Sequence, residues 1–309
     1  MLDNFKCFIR PSTVFENNVC KNPKVDLRTF VSTFTGEVTD YPKIGKYLNL
    51  DVRITGQQAY IKGSLHKFMN AYVDNGEHNY NDFDFRDIEL VIENIVQEFD
   101  IDPKVTSITN LEFGMNVILN HDPQELIDRK LLMFNFRNHN KDLKFRGKGD
   151  YKQFDMSDYS IKIYNKSKQY RQDKFILRVE VKFTMKRILQ KLGIHNLADL
   201  TDTGVLQNLF GFLMQQFDKL VIVDDFYERG NISVKEKARI TMFTNPNYWM
   251  NMSNKPSRVR ERLIREFKRL IRKHKLDVTK NSLRDALYNK FLELMRVPAI
   301  SLNEKAVEM

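Results

Sequence analysis

Three stretches of this sequence alternate between apolar and polar residues, and their polar positions collect a reactive set. In the first, Leu111, Phe113, Met115 and Val117 take one parity and Asn110, Glu112, Gly114 and Asn116 the other. In the second, Ile161 and Ile163 alternate with Lys162, Tyr164 and Lys166. In the third, Phe175, Leu177, Val179, Val181 and Phe183 alternate with Arg178, Glu180 and Lys182. Successive strand side chains point to opposite faces. If the three stretches share one antiparallel sheet, its polar face joins Glu112, Tyr164 and Glu180, ringed by Lys162, Lys166, Arg178 and Lys182.

Such a set suits cleavage of a phosphodiester. A tyrosine hydroxyl can attack phosphorus and conserve the bond as a phosphotyrosine, so that the strand can later be rejoined. Ionising a free tyrosine at pH 7 costs about 4 kcal/mol, and neighbouring lysines are expected to lower that cost. Two carboxylates can hold a divalent ion that polarises the phosphate, and oxygen ligands favour Mg2+ or Mn2+. The same residues also suit the solvated face of an antiparallel sheet laced with cross-strand salt bridges. Periodicity alone does not separate the two.

The elements that must position these residues read as an α+β chain. Val52–Lys62 looks like a strand, or a hairpin turning near Gly56-Gln57, and Asp74-Asn75-Gly76 is a turn signal. Phe85, Ile88, Ile92, Ile95, Val96 and Phe99 recur at helical spacing over 84–99, and Pro103 marks the stop. A second helix is expected at 123–133 and a basic turn at Gly147-Lys148-Gly149. These two helices would cover one face of the antiparallel sheet and leave the other open. After Thr184 the pattern turns helical, at about 184–191, 203–218, 233–242, 257–275 and 281–296. Two regions follow: a catalytic sheet domain over 1–190 and a mostly helical DNA-positioning region over 191–309.

Composition narrows the partners. The formal charge is +10, and residues 255–275 hold ten Lys or Arg against two acids, which is +8 in one segment. Val259, Leu263, Phe267, Leu270 and Ile271 form its apolar stripe, so Arg258, Arg262, Arg265, Arg269 and Arg272 are candidates for contacting DNA phosphates. A solvated amphipathic face is the plainer reading of that helix. A membrane surface is not expected, because no bulky aromatic stripe or lipidation signal accompanies the charge. No apolar run approaches the ~18 residues of a membrane span, and no signal-peptide pattern opens the chain. Two cysteines, Cys7 and Cys20, are too few for a disulfide framework. A cytoplasmic protein is expected.

Several motifs carry a family resemblance. Tyr60-Ile61-Lys62-Gly63-Ser64-Leu65-His66-Lys67-Phe68 resembles the strand and "x-S-x-x-K" turn of gene II-type replication initiators of single-stranded-DNA phages. Ile108-Thr109-Asn110-Leu111-Glu112 is similar to their first acidic strand, Ile161–Lys166 to the strand with their catalytic Tyr-x-Lys, and Leu177–Lys182 to their Arg-hydrophobic-Glu strand. The opening Met1-Leu2-Asp3 is similar as well, and all these elements keep the family's order over roughly residues 1–190.

The resemblance implies an HUH-endonuclease-related fold: a five-stranded antiparallel sheet akin to the RNA-recognition fold. It implies a rolling-circle initiator that nicks the origin and rejoins the displaced strand. Tyr164 would be the nucleophile with Lys166 and Lys162 beside it, and Glu112 and Glu180 the metal-site carboxylates. The product would be a 5′-phosphotyrosine and a free 3′ hydroxyl for the host polymerase, with the host helicase as a further partner. No His-x-His occurs, so the metal pair that names the wider superfamily is missing. His66 is a candidate third ligand or phosphate contact, and Lys67, Arg178 and Lys182 are candidate nucleic-acid contacts. Tyr159 and Tyr170 flank Tyr164 and are the alternatives for a second nucleophile. The rival reading is a nucleic-acid-binding initiator that opens an origin without cutting it; such platforms present aromatic residues for stacking.

Overall fold

The computed structural model describes residues 1–74, 76–139 and 151–295. Asn75 of the first expected turn, the Gly147-Lys148-Gly149 turn and the last residue of the 281–296 helix lie outside the described residues. Ten strands occur among them: β1 (Leu2–Ile9), β2 (Lys43–Tyr47), β3 (Leu50–Ile54), β4 (Ala59–Ser64), β5 (Ser107–Leu119), β6 (Leu131–Phe134), β7 (Tyr151–Asp155), β8 (Tyr159–Asn165), β9 (Phe175–Phe183) and β10 (Leu220–Ile222). Eight form one antiparallel sheet in the order β2-β3-β4-β1-β5-β9-β8-β7, and β6 pairs with β10 apart from it. The sheet is thus wider than the five strands that the resemblance implied.

The helices are α1 (Ser12–Lys21), α2 (Leu65–Asp74), α3 (Phe85–Phe99), α4 (Pro123–Glu125), α5 (Lys166–Tyr170), α6 (Lys186–Lys191), α7 (Thr203–Asp218), α8 (Val234–Thr244), α9 (Pro246–Asn251), α10 (Ser257–Lys273) and α11 (Val278–Met295). Periodicity locates α3, α7, α8, α10 and α11 to within a few residues. In α3, Asp84 and Asp87 make a reciprocal capping box that fixes the start. No described helix is long and apolar enough to cross a membrane.

The helix expected at 123–133 is a correction. Only Pro123–Glu125 is α-helical; Leu126–Lys130 widens into a π-turn and Leu131–Phe134 leaves as β6. A short apolar run such as Leu131-Leu132-Met133-Phe134 has no period that tells helix from strand, and here pairing with β10 decides.

The apolar parity of β5, β8 and β9 faces the core as expected: Leu111, Phe113, Ile161, Val181 and Phe183 have no exposed surface. Helices α1, α3, α7 and α11 bury their apolar stripes against that face, through residues such as Phe15, Ile88, Leu209 and Leu287. A second cluster joins α8, α9 and α10 around Trp249 and Phe267, and includes Met133 and Phe136. Residues beyond 190 therefore enter both cores.

Register then fixes the polar face. Glu112 pairs with Lys182, Gly114 with Glu180 and Asn116 with Arg178 across β5–β9. Lys162 pairs with Glu180 and Tyr164 with Arg178 across β8–β9. Gly114 is required there. A Cβ on it would lie 2.5 Å from Glu180 Cβ and 2.6 Å from the Val179 carbonyl oxygen. Gly211, on an exposed turn of α7, would meet nothing within 4 Å. Gly114→Ala should therefore cost about 1–3 kcal/mol of stability, whereas Gly211→Ala should gain about 0.5–1 kcal/mol. Chemical denaturation of the two variants checks this; equal behaviour would mean that the β5–β9 contact yields freely.

Candidate active site

The chain makes its polar centre from β1, β5, β8 and β9. Strict alternation would put Asp3 on the core side with Phe5. It does not, because β1 carries a bulge against β5: Leu2 pairs with Phe113 and Phe5 with Leu111, so Asp3 and Asn4 together face the place of Glu112. The extra residue turns Asp3 to the polar face. Carboxylate oxygens of Asp3, Glu112 and Glu180 lie within 4.8 Å of one another, and all three residues are buried.

Arg178 organises this centre. It is 2% exposed, and its guanidinium donates from Nε to Glu180 Oε2 (2.7 Å), from Nη1 to Asn116 Oδ1 (3.0 Å) and from Nη2 to Asp3 Oδ2 (3.2 Å). The expectation that Arg178 contacts nucleic acid is therefore corrected: the side chain is buried, and each of its three nitrogens donates inside the sheet. Ser64, at the end of β4, donates to Asp3 Oδ1 and accepts the backbone N–H of Lys67 at the start of α2. The serine of the "x-S-x-x-K" turn thus caps a helix and orients a carboxylate. Asn79 donates to Asp3 Oδ2 (2.6 Å) and Asn4 to Glu112 Oε2 (2.5 Å).

The charges are unevenly compensated. Burial pushes Glu112 above its ordinary range, and Glu180 and Asp3 push it further, against the pull of Lys182 at 2.8 Å. Asp3 is driven up by burial but ends below its ordinary range, because Arg178 and then Lys166 outweigh burial. Burial lowers the affinity of Arg178 for its proton, yet Tyr164, Glu180 and Asp3 more than restore it.

Tyr164 sits at the edge of this cluster, 5% exposed. Its hydroxyl donates to Glu180 Oε2 (3.3 Å) and accepts from Lys166 Nζ (3.2 Å). Lys162 Nζ lies 4.6 Å from the Tyr164 ring and 3.8 Å from Glu180 Oε1. The expectation that flanking lysines ease ionisation is corrected for the protein alone. Burial, then Glu180, holds the Tyr164 hydroxyl well above its usual value of 10. Lys166 is fully buried, and burial followed by Arg178 brings its amine down to about 7. It follows β8 directly, where Asn165 accepts the Lys168 N–H and begins α5, so the lysine returns over the tyrosine.

The three carboxylates fit a divalent cation by donor type. All are hard oxygen ligands, each carboxylate can accept more than its present bonds, and the raised Glu112 marks unmet negative charge. Lys182, the cation paired with Glu112, has a side chain that is 51% exposed. His66 lies outside this cluster. It is buried, stacks on Phe83 with centroids 4.9 Å apart, and shares a hydrogen bond with Asn81 (2.8 Å); burial lowers its pKa to about 2.

The cluster forms the floor of a concavity of about 810 Å3 lined by seven lysines and five carboxylates, Lys67 and Lys182 among them. Tyr170 borders it, with its hydroxyl on Asn79 (2.7 Å), while Tyr159 turns away to Gln216 (2.7 Å). On α10, Arg258, Arg262, Arg265, Arg269 and Arg272 are all exposed and recur every three or four residues, a single stripe about 21 Å long. None of the five enters a salt bridge among the described residues. The helix pairs instead through Glu266 with Arg239 (2.7 Å) and Lys273 with Glu236 (2.6 Å).

Asp3, Asn4 and Ser64 are the site residues that sequence reasoning did not assign. The available signals were the likeness of Met1-Leu2-Asp3 to the phage proteins, for Asp3, and the "x-S-x-x-K" turn, for Ser64.

No family model matches the chain, and no curated protein matches it. Among solved structures it is similar to a rolling circle replication initiator protein from Geobacillus stearothermophilus, at 12% identity, over 75% of this chain and 89% of that one, with a TM-score of 0.40.

The depressed amine of Lys166 has a signed consequence for stability. Between pH 7 and 10.5 the unfolded chain binds a proton that the folded chain does not, so this group adds stability as pH rises across that window. Below pH 7 both states are protonated and the cost of burying the ammonium is fully present. Lys166→Met should therefore stabilise the protein at pH 6, by on the order of 4–5 kcal/mol at most, and the gain should shrink towards pH 10. Urea unfolding at the two pH values measures it; a gain that is the same at both would show that the buried charge is not what is relieved.

Proposed function

We propose that this chain is a metal-dependent DNA nicking and joining enzyme that initiates rolling-circle replication, with Tyr164 as its nucleophile. The observation that carries the reading is one hydroxyl hydrogen-bonded to both Glu180 and Lys166 at the rim of a three-carboxylate cluster on an open sheet face.

Asp3, Glu112 and Glu180 would hold Mg2+ or Mn2+, which would polarise the scissile phosphate and ease ionisation of a phenol that burial first, and Glu180 second, keep protonated. Tyr164 passes its proton towards Glu180, to which it already donates, as its oxygen bonds to phosphorus. The phosphorus–O3′ bond breaks and the departing 3′ oxygen takes up a proton from solvent water, which leaves a 5′-phosphotyrosine and a 3′ hydroxyl. Lys166 steadies the phenolic oxygen from its other side, and Lys162 and Lys182 line the same concavity, where they would meet the phosphate oxygens. Attack of a 3′ hydroxyl on the phosphotyrosine reverses the step and joins the strand. Asp3 takes the third-ligand place considered for His66.

The basic stripe of α10 would hold the origin DNA through its phosphates, with its five unbridged arginines supplying sequence-independent affinity. Host polymerase and helicase would act on the exposed 3′ end and the opened duplex.

With a suicide oligonucleotide and Mn2+, the parent protein should give a covalent adduct whose mass maps to Tyr164, and Tyr164→Phe should give none while still binding DNA. Chelation should abolish the adduct, and Asp3→Asn should need at least ten-fold more Mn2+ to form it. An adduct in Tyr164→Phe at parental yield would remove the tyrosine from the mechanism, and DNA binding without any nick or adduct would assign the chain to non-cutting initiators. For the stripe, combining Arg262→Gln with Arg269→Gln should lower the slope of log affinity against log salt by about 2. Filter binding between 50 and 200 mM salt would read this, and an unchanged slope would clear α10 of phosphate contact.

A further inference from the structure

The open face does not end at the carboxylates. On β1 and β4, at the positions opposite the buried Cys7, Ile9, Ala59 and Ile61, the chain places Phe8 and Tyr60. They pair directly across the two strands, with ring centroids 5.8 Å apart and planes at 61°. Both are half-buried. Lys6 Nζ rests 4.2 Å from the Tyr60 centroid and 4.8 Å from that of Phe8, and Lys6 also lines the concavity that contains Tyr164 and Glu112. Arg53 and Lys62 are exposed on the neighbouring positions of β3 and β4.

We infer that Phe8 and Tyr60 form a base-stacking platform for single-stranded DNA, which guides the strand to be cut across β1 towards the carboxylate cluster. The inference deepens the nicking reading and rests on it for the identity of the strand. Asn4, which bonds Glu112, is four residues from Phe8 along β1, so the rings lie about 13 Å from the cluster, within a few nucleotides of the reacting phosphate.

Aromatic rings on a solvent-facing sheet, interleaved with cations, are the arrangement by which unpaired bases are held without sequence preference. A duplex cannot use it, because its base faces are already stacked. The Lys6 ammonium covers the rings in the free protein, but an exposed cation–π contact is weaker than base stacking. An arriving base displaces the ammonium, and the freed lysine then faces the phosphate that follows. The alternative is a cross-strand aromatic pair that serves the sheet alone.

The test uses the full chain in EDTA, where metal-dependent cleavage is blocked, and fluorescein-labelled dT12 read by anisotropy. Phe8→Leu and Tyr60→Leu, which keep an apolar side chain of similar bulk, should each weaken dT12 binding by about ten-fold and leave the melting temperature near that of the parent. Tyr60→Trp should bind as the parent does, and its added fluorescence should be quenched by dT12. Parental affinity in both leucine variants, no quenching in Tyr60→Trp, or tighter binding of rU12 than of dT12 would each overturn the platform. Because binding in EDTA requires neither metal nor Tyr164, failure to nick and failure to stack are read separately.

Discussion

The site depends on one buried arginine. Arg178 crosses from β9 to Asn116 on β5 and Asp3 on β1, so its fork ties three adjacent strands at the point where the carboxylates meet. Holding Asp3, Glu112 and Glu180 within 4.8 Å of each other in a buried place is unfavourable without a fixed cation among them. A guanidinium suits the task because its five donors are coplanar and it stays charged, whereas a buried ammonium shifts its pKa readily. Lys166 is such an ammonium: burial, followed by the charge of Arg178, brings it down to about 7. Removing the arginine would strand two carboxylates, a loss typically of about 3–5 kcal/mol.

The same compensation leaves a deficit that the proposed chemistry needs. Arg178 serves Asp3 and Glu180, whereas Glu112 is bonded to Asn4 and paired with the half-exposed Lys182, and burial, followed by Glu180 and Asp3, raises its carboxyl. Tyr164 is raised for the same reasons, burial first and Glu180 second. Under the proposed function, a site at rest with a protonated phenol would become reactive when a cation enters it. A divalent metal and a substrate phosphate would then have distinct effects: the first would lower the cost of ionising Tyr164, and the second would bring the phosphorus to it.

Much of this was legible in the alternation of residues. The parities of 110–117, 161–166 and 177–183 place Glu112, Tyr164, Glu180 and their lysines on one face, because a period of two leaves a strand no freedom once its other side is core. The long C-terminal helices were legible for the matching reason. What escaped was whatever breaks a period. Asp3 reaches the polar face only through a bulge in β1, and a two-for-one register is a property of the pair of strands, not of either sequence. Arg178 looked like a surface cation because parity assigns a face and says nothing of what covers it. Here Asn116, which accepts from Arg178, also donates to the backbone carbonyls of 79–81, and the arginine is 2% exposed. The stretch 123–134 had no period to read, and pairing between β6 and β10 settled it.

The placement of charge also explains why the cations of this chain are divided. The concavity holds seven lysines against five carboxylates and is close to balanced, while residues 255–275 carry +8 in a separately packed cluster. A dense arginine stripe at the carboxylates would compete with a divalent ion for the same oxygens and pin the phosphate in many orientations. On α10, which packs in the second cluster and contributes no residue to the concavity, the same stripe does not meet those oxygens. Under the proposed function, strength of attachment and precision of attack would thus be assigned to different surfaces. The stripe could then vary without disturbing the charge balance that Arg178 maintains at the carboxylates.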